Sequence, residues 1–236
     1  MGKNKLARFA ENATFDNLIQ ISFEQMKQSG QCSLKGKWRE EFFANDNPIV
    51  LELGCGKGEY TVGLARKYPQ KNFIGIDIKG ARLWRGCKTS NEEQMKNVAF
   101  IRSHVQMINY YFDENEVDEI WITFPDPQLK KPNKRLTSER FLSLYSKVLK
   151  PQGIVHLKTD SAELYDFTLN EVLIPSSRKV LYHTADLYGS DFSEDVRDIQ
   201  TFYESMYLKE GKPITYIKFN IINVQKKNII MKNNSK

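Results

Sequence analysis

Cysteine is scarce in this chain: Cys32, Cys55 and Cys87 are the three in 236 residues, far apart and without a C-x-x-C pair. An odd, scattered set supports neither a disulfide framework nor a zinc knuckle, and three reduced thiols are expected. Histidine is as sparse, at three. His104 has no Cys or His close by in sequence, so no metal site is expected. No apolar run reaches the roughly 18 residues that a membrane-spanning helix requires. The start, Met1-Gly2-Lys3-Asn4-Lys5-Leu6, has no apolar signal region, and Leu6 stands where a myristoylation motif wants Ser or Thr. A cytoplasmic protein without membrane attachment is expected. Internal repeats are absent, and so is the dinucleotide fingerprint G-x-G-x-x-G: Gly54 and Gly56 fit it, but Glu59 occupies the last position.

What is present suits one α/β domain with extensions, with 40% hydrophobic and 12% aromatic residues. A formal net charge of +6 attracts polyanions, but it is the clustering of the basic residues that carries information.

The stretch Ile49-Val50-Leu51-Glu52-Leu53-Gly54-Cys55-Gly56-Lys57-Gly58-Glu59 reads as a buried strand entering a tight glycine turn, with a helix over 57–68 ended by Pro69. Glycine there allows φ > 0 and lets a ligand approach the backbone. Glu52 sits near the strand's C-terminal end, where open α/β sheets bind ligands. Glu59 is a poor neighbour for a phosphate and a good one for a cation. A second strand over 73–78 contains Asp77, 25 residues after Glu52, where a carboxylate either accepts both hydroxyls of a ribose or caps the next helix.

Residues 79–95 read as a helix with Arg82, Arg85 and Lys88 on one side, either a solvated face or an RNA contact. Strands follow over 98–101 and 119–124. The second leads into Phe124-Pro125-Asp126-Pro127-Gln128-Leu129-Lys130-Lys131-Pro132-Asn133-Lys134-Arg135, an acid held between two prolines and then four basic residues in six. Proline fixes φ and removes a donor, so this loop is stiff. In a doubly wound sheet, the ends of the first and fourth strands meet at the topological switch point, which brings Asp126 to the glycine turn. A helix over 141–149, a strand over 154–160 with Asp160 at its tip, a helix over 163–173 and strands over 179–182 and 214–224 complete the alternation. The fold class is α/β: a doubly wound, mostly parallel seven-stranded sheet with one antiparallel strand. Three parts are expected: a basic arm and short helix over 1–44, the main domain over 45–225, and a tail over 226–236. Residues 1–16, with Lys3, Lys5 and Arg8, read as a mobile basic arm, and 18–26 as a short helix.

Together these stretches resemble the bacterial tRNA (guanine-N7)-methyltransferases. The matching pieces are Gly2-Lys-Asn-Lys-Leu6, Glu52-Leu-Gly-Cys-Gly-Lys-Gly58, Gly75-Ile-Asp77, Phe124-Pro-Asp-Pro127 with Lys130, Lys158-Thr-Asp160 and Thr201-Phe-Tyr-Glu204. The resemblance implies a class I methyltransferase that uses S-adenosylmethionine and acts on N7 of a guanine in the variable loop of tRNA, as a monomer or homodimer. It implies cofactor contacts from Glu52, Gly54, Gly56 and Asp77, and a catalytic or cofactor-facing Asp126. His104 stands where the family tends to place Asp or Asn against the adenine amino group, and a neutral imidazole nitrogen can accept that hydrogen bond. Substrate contacts are implied for Lys130, Asp160, Thr201, Tyr203 and Glu204. The RNA backbone is expected at Lys131, Lys134 and Arg135, and at Lys3, Lys5 and Arg8. Gln128 and Leu129 replace the Trp and Pro of the family's usual loop. The alternatives are a methyltransferase acting on another RNA, a small molecule or a protein, a dehydrogenase, or an RNA-binding module without activity.

Overall fold

The computed structural model describes residues 3–192 and 195–221. Its strands are β1 (Leu18–Ile19), β2 (Ile49–Leu53), β3 (Asn72–Asp77), β4 (Val98–Arg102), β5 (Val117–Thr123), β6 (Leu149–Thr159), β7 (Val180–Thr184) and β8 (Thr215–Asn220). They form one sheet in the order β1-β4-β3-β2-β5-β6-β8-β7, with β8 antiparallel to both its neighbours and the other pairs parallel. The helices are α1 (Lys3–Asn12), α2 (Phe23–Ser29), α3 (Glu59–Lys67), α4 (Gly80–Glu92), α5 (Ile108–Tyr111), α6 (Glu139–Val148), α7 (Ala162–Asp166) and α8 (Phe202–Lys209).

Every residue of β2 is buried, because a parallel strand covered on both faces needs apolar side chains in both directions. Leu51, Leu53, Ile74, Ile120 and Ile122 face one layer with Leu142 and Tyr145 of α6. Val50, Phe73 and Trp121 face the other with Tyr60, Val62 and Leu64 of α3 and Leu83 of α4. From β2 the chain steps outward through β3 to β4, then returns to lay β5 on the other side of β2. The crevice therefore opens at the C-terminal ends of β2 and β5.

The sheet has eight strands rather than seven. The addition is β1, drawn from residues read in sequence as helical: Leu18 and Ile19 pair with Phe100 and Ile101 along the edge of β4. The helix begins later, at Ser22, whose side chain and that of Gln25 form a reciprocal cap. The first residues also differ from the expected mobile arm. Residues Lys3–Asn12 form α1, held on α4 by Glu11 contacts to Trp84 Nε1 at 2.6 Å and Lys88 Nζ at 2.9 Å, and by Asn12 Nδ2 donating to the Gly80 carbonyl at 2.8 Å. Tertiary contacts supply what the weak periodicity of this segment does not. Pro151 and Gly153 lie within the leading residues of β6, which starts directly after α6, and α7 runs on as a π-helical stretch over Phe167–Leu173. The expected tail over 226–236 lies outside the described residues.

Candidate active site

The glycine turn after β2 is built on three left-handed residues, Gly54, Gly56 and Gly58, with φ of 77°, 57° and 71°. A Cβ on Gly58 falls 2.6 Å from the Phe100 ring and 3.3 Å from Gly86 Cα, so this glycine lets α3 approach β4 and α4. At Gly56 a Cβ meets nothing within 4 Å, so its backbone faces open space. Asp77 ties the turn down: Oδ2 accepts the Gly56 N–H at 2.9 Å and Oδ1 accepts the Lys79 N–H at 2.7 Å. Each oxygen keeps a lone pair for a ligand hydroxyl.

Glu52 is buried beneath the turn. It accepts the Thr61 N–H at 2.8 Å, the Thr123 hydroxyl at 2.6 Å and the Thr61 hydroxyl. Burial pushes its carboxyl up to about 7, against the pull of these three donors and with a small push from Asp77. A positive charge placed nearby would favour the ionised form of this carboxyl and draw it back down, the proton leaving to solvent.

A cleft of about 380 Å³ is lined by Gly54, Asp77, His104, Phe124, Asp126 and Lys134 among others. Behind it a pocket of about 70 Å³ is lined by Glu52, Gly56, Lys57, Arg82, Thr201 and Tyr203 among others. Gly54 and Phe124 border both, so the residues expected to hold the cofactor open on the same side of the molecule as Asp126. Asp126 is exposed, and its Oδ1 accepts the Gln128 N–H at 3.0 Å in a local Asx turn. Phe124 and Gln128 on either side have positive φ, 46° and 47°. Positive φ at such residues is costly and persists where surrounding structure imposes it; here the Phe124 N–H donates to the Lys158 carbonyl at 2.8 Å, and the Gln128 carbonyl accepts the Lys131 N–H at 2.9 Å.

Two expected residues are elsewhere engaged. Arg135 is 3% exposed; its Nε donates to the Pro127 carbonyl at 3.0 Å, its other end pairs with Glu163, and its guanidinium lies 4.4 Å over the Phe167 ring. It braces the proline loop and does not face solvent. Glu204 is fully buried. Its Oε1 meets Lys158 Nζ at 2.6 Å and the Tyr188 hydroxyl at 2.8 Å, while its carboxylate and Thr201 form the reciprocal cap that starts α8. Glu204 therefore has no face for a guanine. Burial pushes the Lys158 ammonium down and Glu204 pulls it back up.

Of the others, Thr201 and Tyr203 reach the small pocket, and Lys130 and Lys131 are exposed on the proline loop. Asp160, partly buried, sits one strand farther from the crevice, at the end of β6 beyond β5, and burial pushes its carboxyl up. Lys5 is exposed on α1, and Arg8 lies 4.6 Å over the Trp84 ring; the side chain of Lys3 lies outside the described residues. Sequence reasoning missed Thr61, Thr123, Lys158 and Tyr188, which hold the acids in place. The one available signal was Lys158, a charge inside the apolar run of β6, which asks for a buried partner. Among the described residues no group of three or more His, Cys, Asp or Glu side chains is arranged to hold a metal, and no helix is long and apolar enough to cross a membrane.

The lining suits S-adenosylmethionine. Open backbone at Gly56, a carboxylate at Asp77 for ribose hydroxyls, acids rather than a phosphate cradle beside the turn, and Lys57 and Arg82 for a ligand carboxylate match a nucleoside carrying a cationic amino-acid arm. Fold and cleft together define an S-adenosylmethionine-dependent methyltransferase of class I. A family model described as "putative methyltransferase" matches residues 46–216. The chain is 58% identical over 222 residues to the tRNA (guanine-N(7)-)-methyltransferase of Christiangramia forsetii, covering 93% of this chain and 98% of that one. Its identity to the Bacteroides thetaiotaomicron protein of the same name is 50%, covering 94% and 87%. The chain belongs to the tRNA (guanine-N7)-methyltransferase family. Among solved structures, the 16S rRNA methyltransferase KamB shares the fold, with a TM-score of 0.59 at 14% identity over 86% of this chain and 95% of that one.

Proposed function

We infer that this chain transfers the methyl group of S-adenosylmethionine to N7 of a guanine in the variable loop of tRNA, in the cytoplasm, as a monomer or homodimer. The observation that carries the reading is the cleft in which the glycine turn, Asp77 and Asp126 meet; the choice of base and RNA rests on the relatives' names.

When bound, the cofactor supplies a methyl on a positive sulfonium. N7 of guanine carries an in-plane lone pair, so the chain needs no general base. Its residues orient the base, which in well-aligned systems contributes on the order of 7–11 kcal/mol. Because the ring gains positive charge as it is alkylated, a carboxylate facing it favours the transition state over the ground state. With Glu204 buried, Asp126 takes that part, held at the cleft by its turn with Gln128, and Asp160 flanks it on the side of β6. His104 accepts the adenine amino group, Tyr203 and Thr201 border the base, and Lys130, Lys131 and Lys134 meet phosphates.

Treating unmodified tRNA with purified protein and labelled cofactor, then mapping the labelled nucleotide, tests the reading. Label on N7 of a variable-loop guanine is expected, lost or strongly reduced in Asp126→Ala. Label on another atom, or none, ends the reading. Full activity in Asp126→Ala ends the role given to that residue.

A further inference from the structure

The cleft does not stop at the glycine turn. Lys57 and Glu59, which border the small pocket, also border a larger open groove of about 680 Å³ between α3 and α4, whose walls include Arg66, Arg85, Thr89 and Gln200. Two glycines let its walls pack closely. A Cβ on Gly63 of α3 comes to 2.7 Å of the Ile199 side chain, and one on Gly86 of α4 to 2.9 Å of the Lys57 carbonyl.

Its cations differ in what they already hold. Lys67 pairs with Asp198, and Arg66 with Glu93. On α4, Lys88 pairs with Glu11 of α1. Arg82 and Arg85 make no ion pair among the described residues. They lie three residues apart on one helix, hence on neighbouring positions of its surface. Arg82 lines the cleft and Arg85 the groove, so a row of positive charge leaves the methyl-transfer site along α4 on the side away from the proline loop. Guanidinium groups without an internal carboxylate, exposed beside an open groove, suit the planar, bidentate recognition of phosphate.

We propose that this groove is an RNA-backbone track in which Arg85, beyond Arg82, binds a phosphate of the strand adjoining the target nucleotide. This rests on tRNA being the substrate. The RNA then crosses the cleft mouth from Lys130 and Lys131 on the proline loop to Arg85 on α4, bracketing the reacting base. Arg135, which the sequence suggests for such a contact, is buried, and Arg85 replaces it.

The test measures tRNA binding against salt, and methylation kinetics, for the wild type, Arg85→Ala and Lys147→Ala. Lys147 is an exposed lysine on α6, across the sheet from the groove, so its loss changes net charge equally without touching the track. For Arg85→Ala the slope of log K against log salt should fall by about 1, with binding weakened roughly tenfold near 0.1 M salt. KM for tRNA should rise in step, while kcat at saturating tRNA, calorimetric affinity for S-adenosylmethionine and the methylated position stay as in the wild type. Lys147→Ala should retain the wild-type slope. A wild-type slope and KM in Arg85→Ala, or an equal loss in Lys147→Ala, overturns the track while leaving the reaction standing. Absence of methyl transfer to tRNA by the wild type itself overturns the functional reading and the track with it.

Discussion

Glu52 illustrates how one side chain can be held in an unfavourable state for a purpose. Its carboxyl lies in the dark of the sheet with three donors around it, and burial still raises it to about 7 from an ordinary 4.5. The folded chain therefore holds this proton more tightly than the unfolded chain does. Stability of the ligand-free protein should fall as pH rises from about 4.5 through 7 and level off above, a loss on the order of 3 kcal/mol at 1.4 kcal/mol per pKa unit. Glu52→Gln should lack that decline, so its stability relative to wild type should be greater at pH 8 than at pH 5. Parallel profiles in denaturant titrations at the two pH values would show that Glu52 is not the group responsible. Lys158 and Glu204 form the other buried polar centre, both fully buried and 2.6 Å apart. Lys158 also donates to the Val196 and Ile199 carbonyls at 2.7 and 3.3 Å. Glu204→Gln leaves that ammonium without its counter-charge and should cost about 3–5 kcal/mol, read as a lowered urea midpoint. A midpoint equal to wild type would mean the pair is not sealed from water.

The proline loop after β5 is the element whose chemistry and mechanics are hardest to separate in sequence. Its basic residues look alike on paper and behave oppositely in the fold: Lys131 is exposed, whereas Arg135 reaches back to the Pro127 carbonyl and across to Glu163. Lys131→Ala should reduce the salt slope of tRNA binding by roughly 1 and leave stability unchanged. Arg135→Ala should do the reverse, lowering the thermal midpoint and slowing catalysis through a loosened Asp126 while keeping the slope. If Arg135→Ala altered only the slope, the arginine would be a phosphate ligand after all. α8 shows the same division. Thr201-Phe-Tyr-Glu204 is a single short motif, yet Thr201 and Glu204 build the helix start while Phe202 and Tyr203 are left exposed. A cap sequence and a binding sequence use the same residue types, since both require short polar groups before a helix.

At the scale of the whole chain, the parallel strands and the crevice between β2 and β5 were legible because continuous apolar runs, each ended by glycine, proline or an acid, leave few other arrangements. Asp77 and Asp126 could be assigned to one site for the same reason: Asp77 ends β3 and Asp126 lies in the loop just past the end of β5, and strand ends on one edge converge. The edge strand β1 and the helix α1 were not legible. Leu18–Ile19 is too short for a pattern, and α1 depends on Trp84, Lys88 and Gly80, some 70 residues away. Periodicity reports an element's own face and not its distant partners.

The sequence by itself determined the class of sheet, the glycine bend with its acids, and the stiff acidic loop opposite, because each is written in contiguous residues whose backbone requirements are local. Only the tertiary structure decided which charges meet solvent: Arg135 and Glu204 turned inward, Arg85 outward along a groove. Whether a charge is paired depends on groups brought near it by folding, and Coulomb attraction and desolvation follow separation in space rather than separation in the chain.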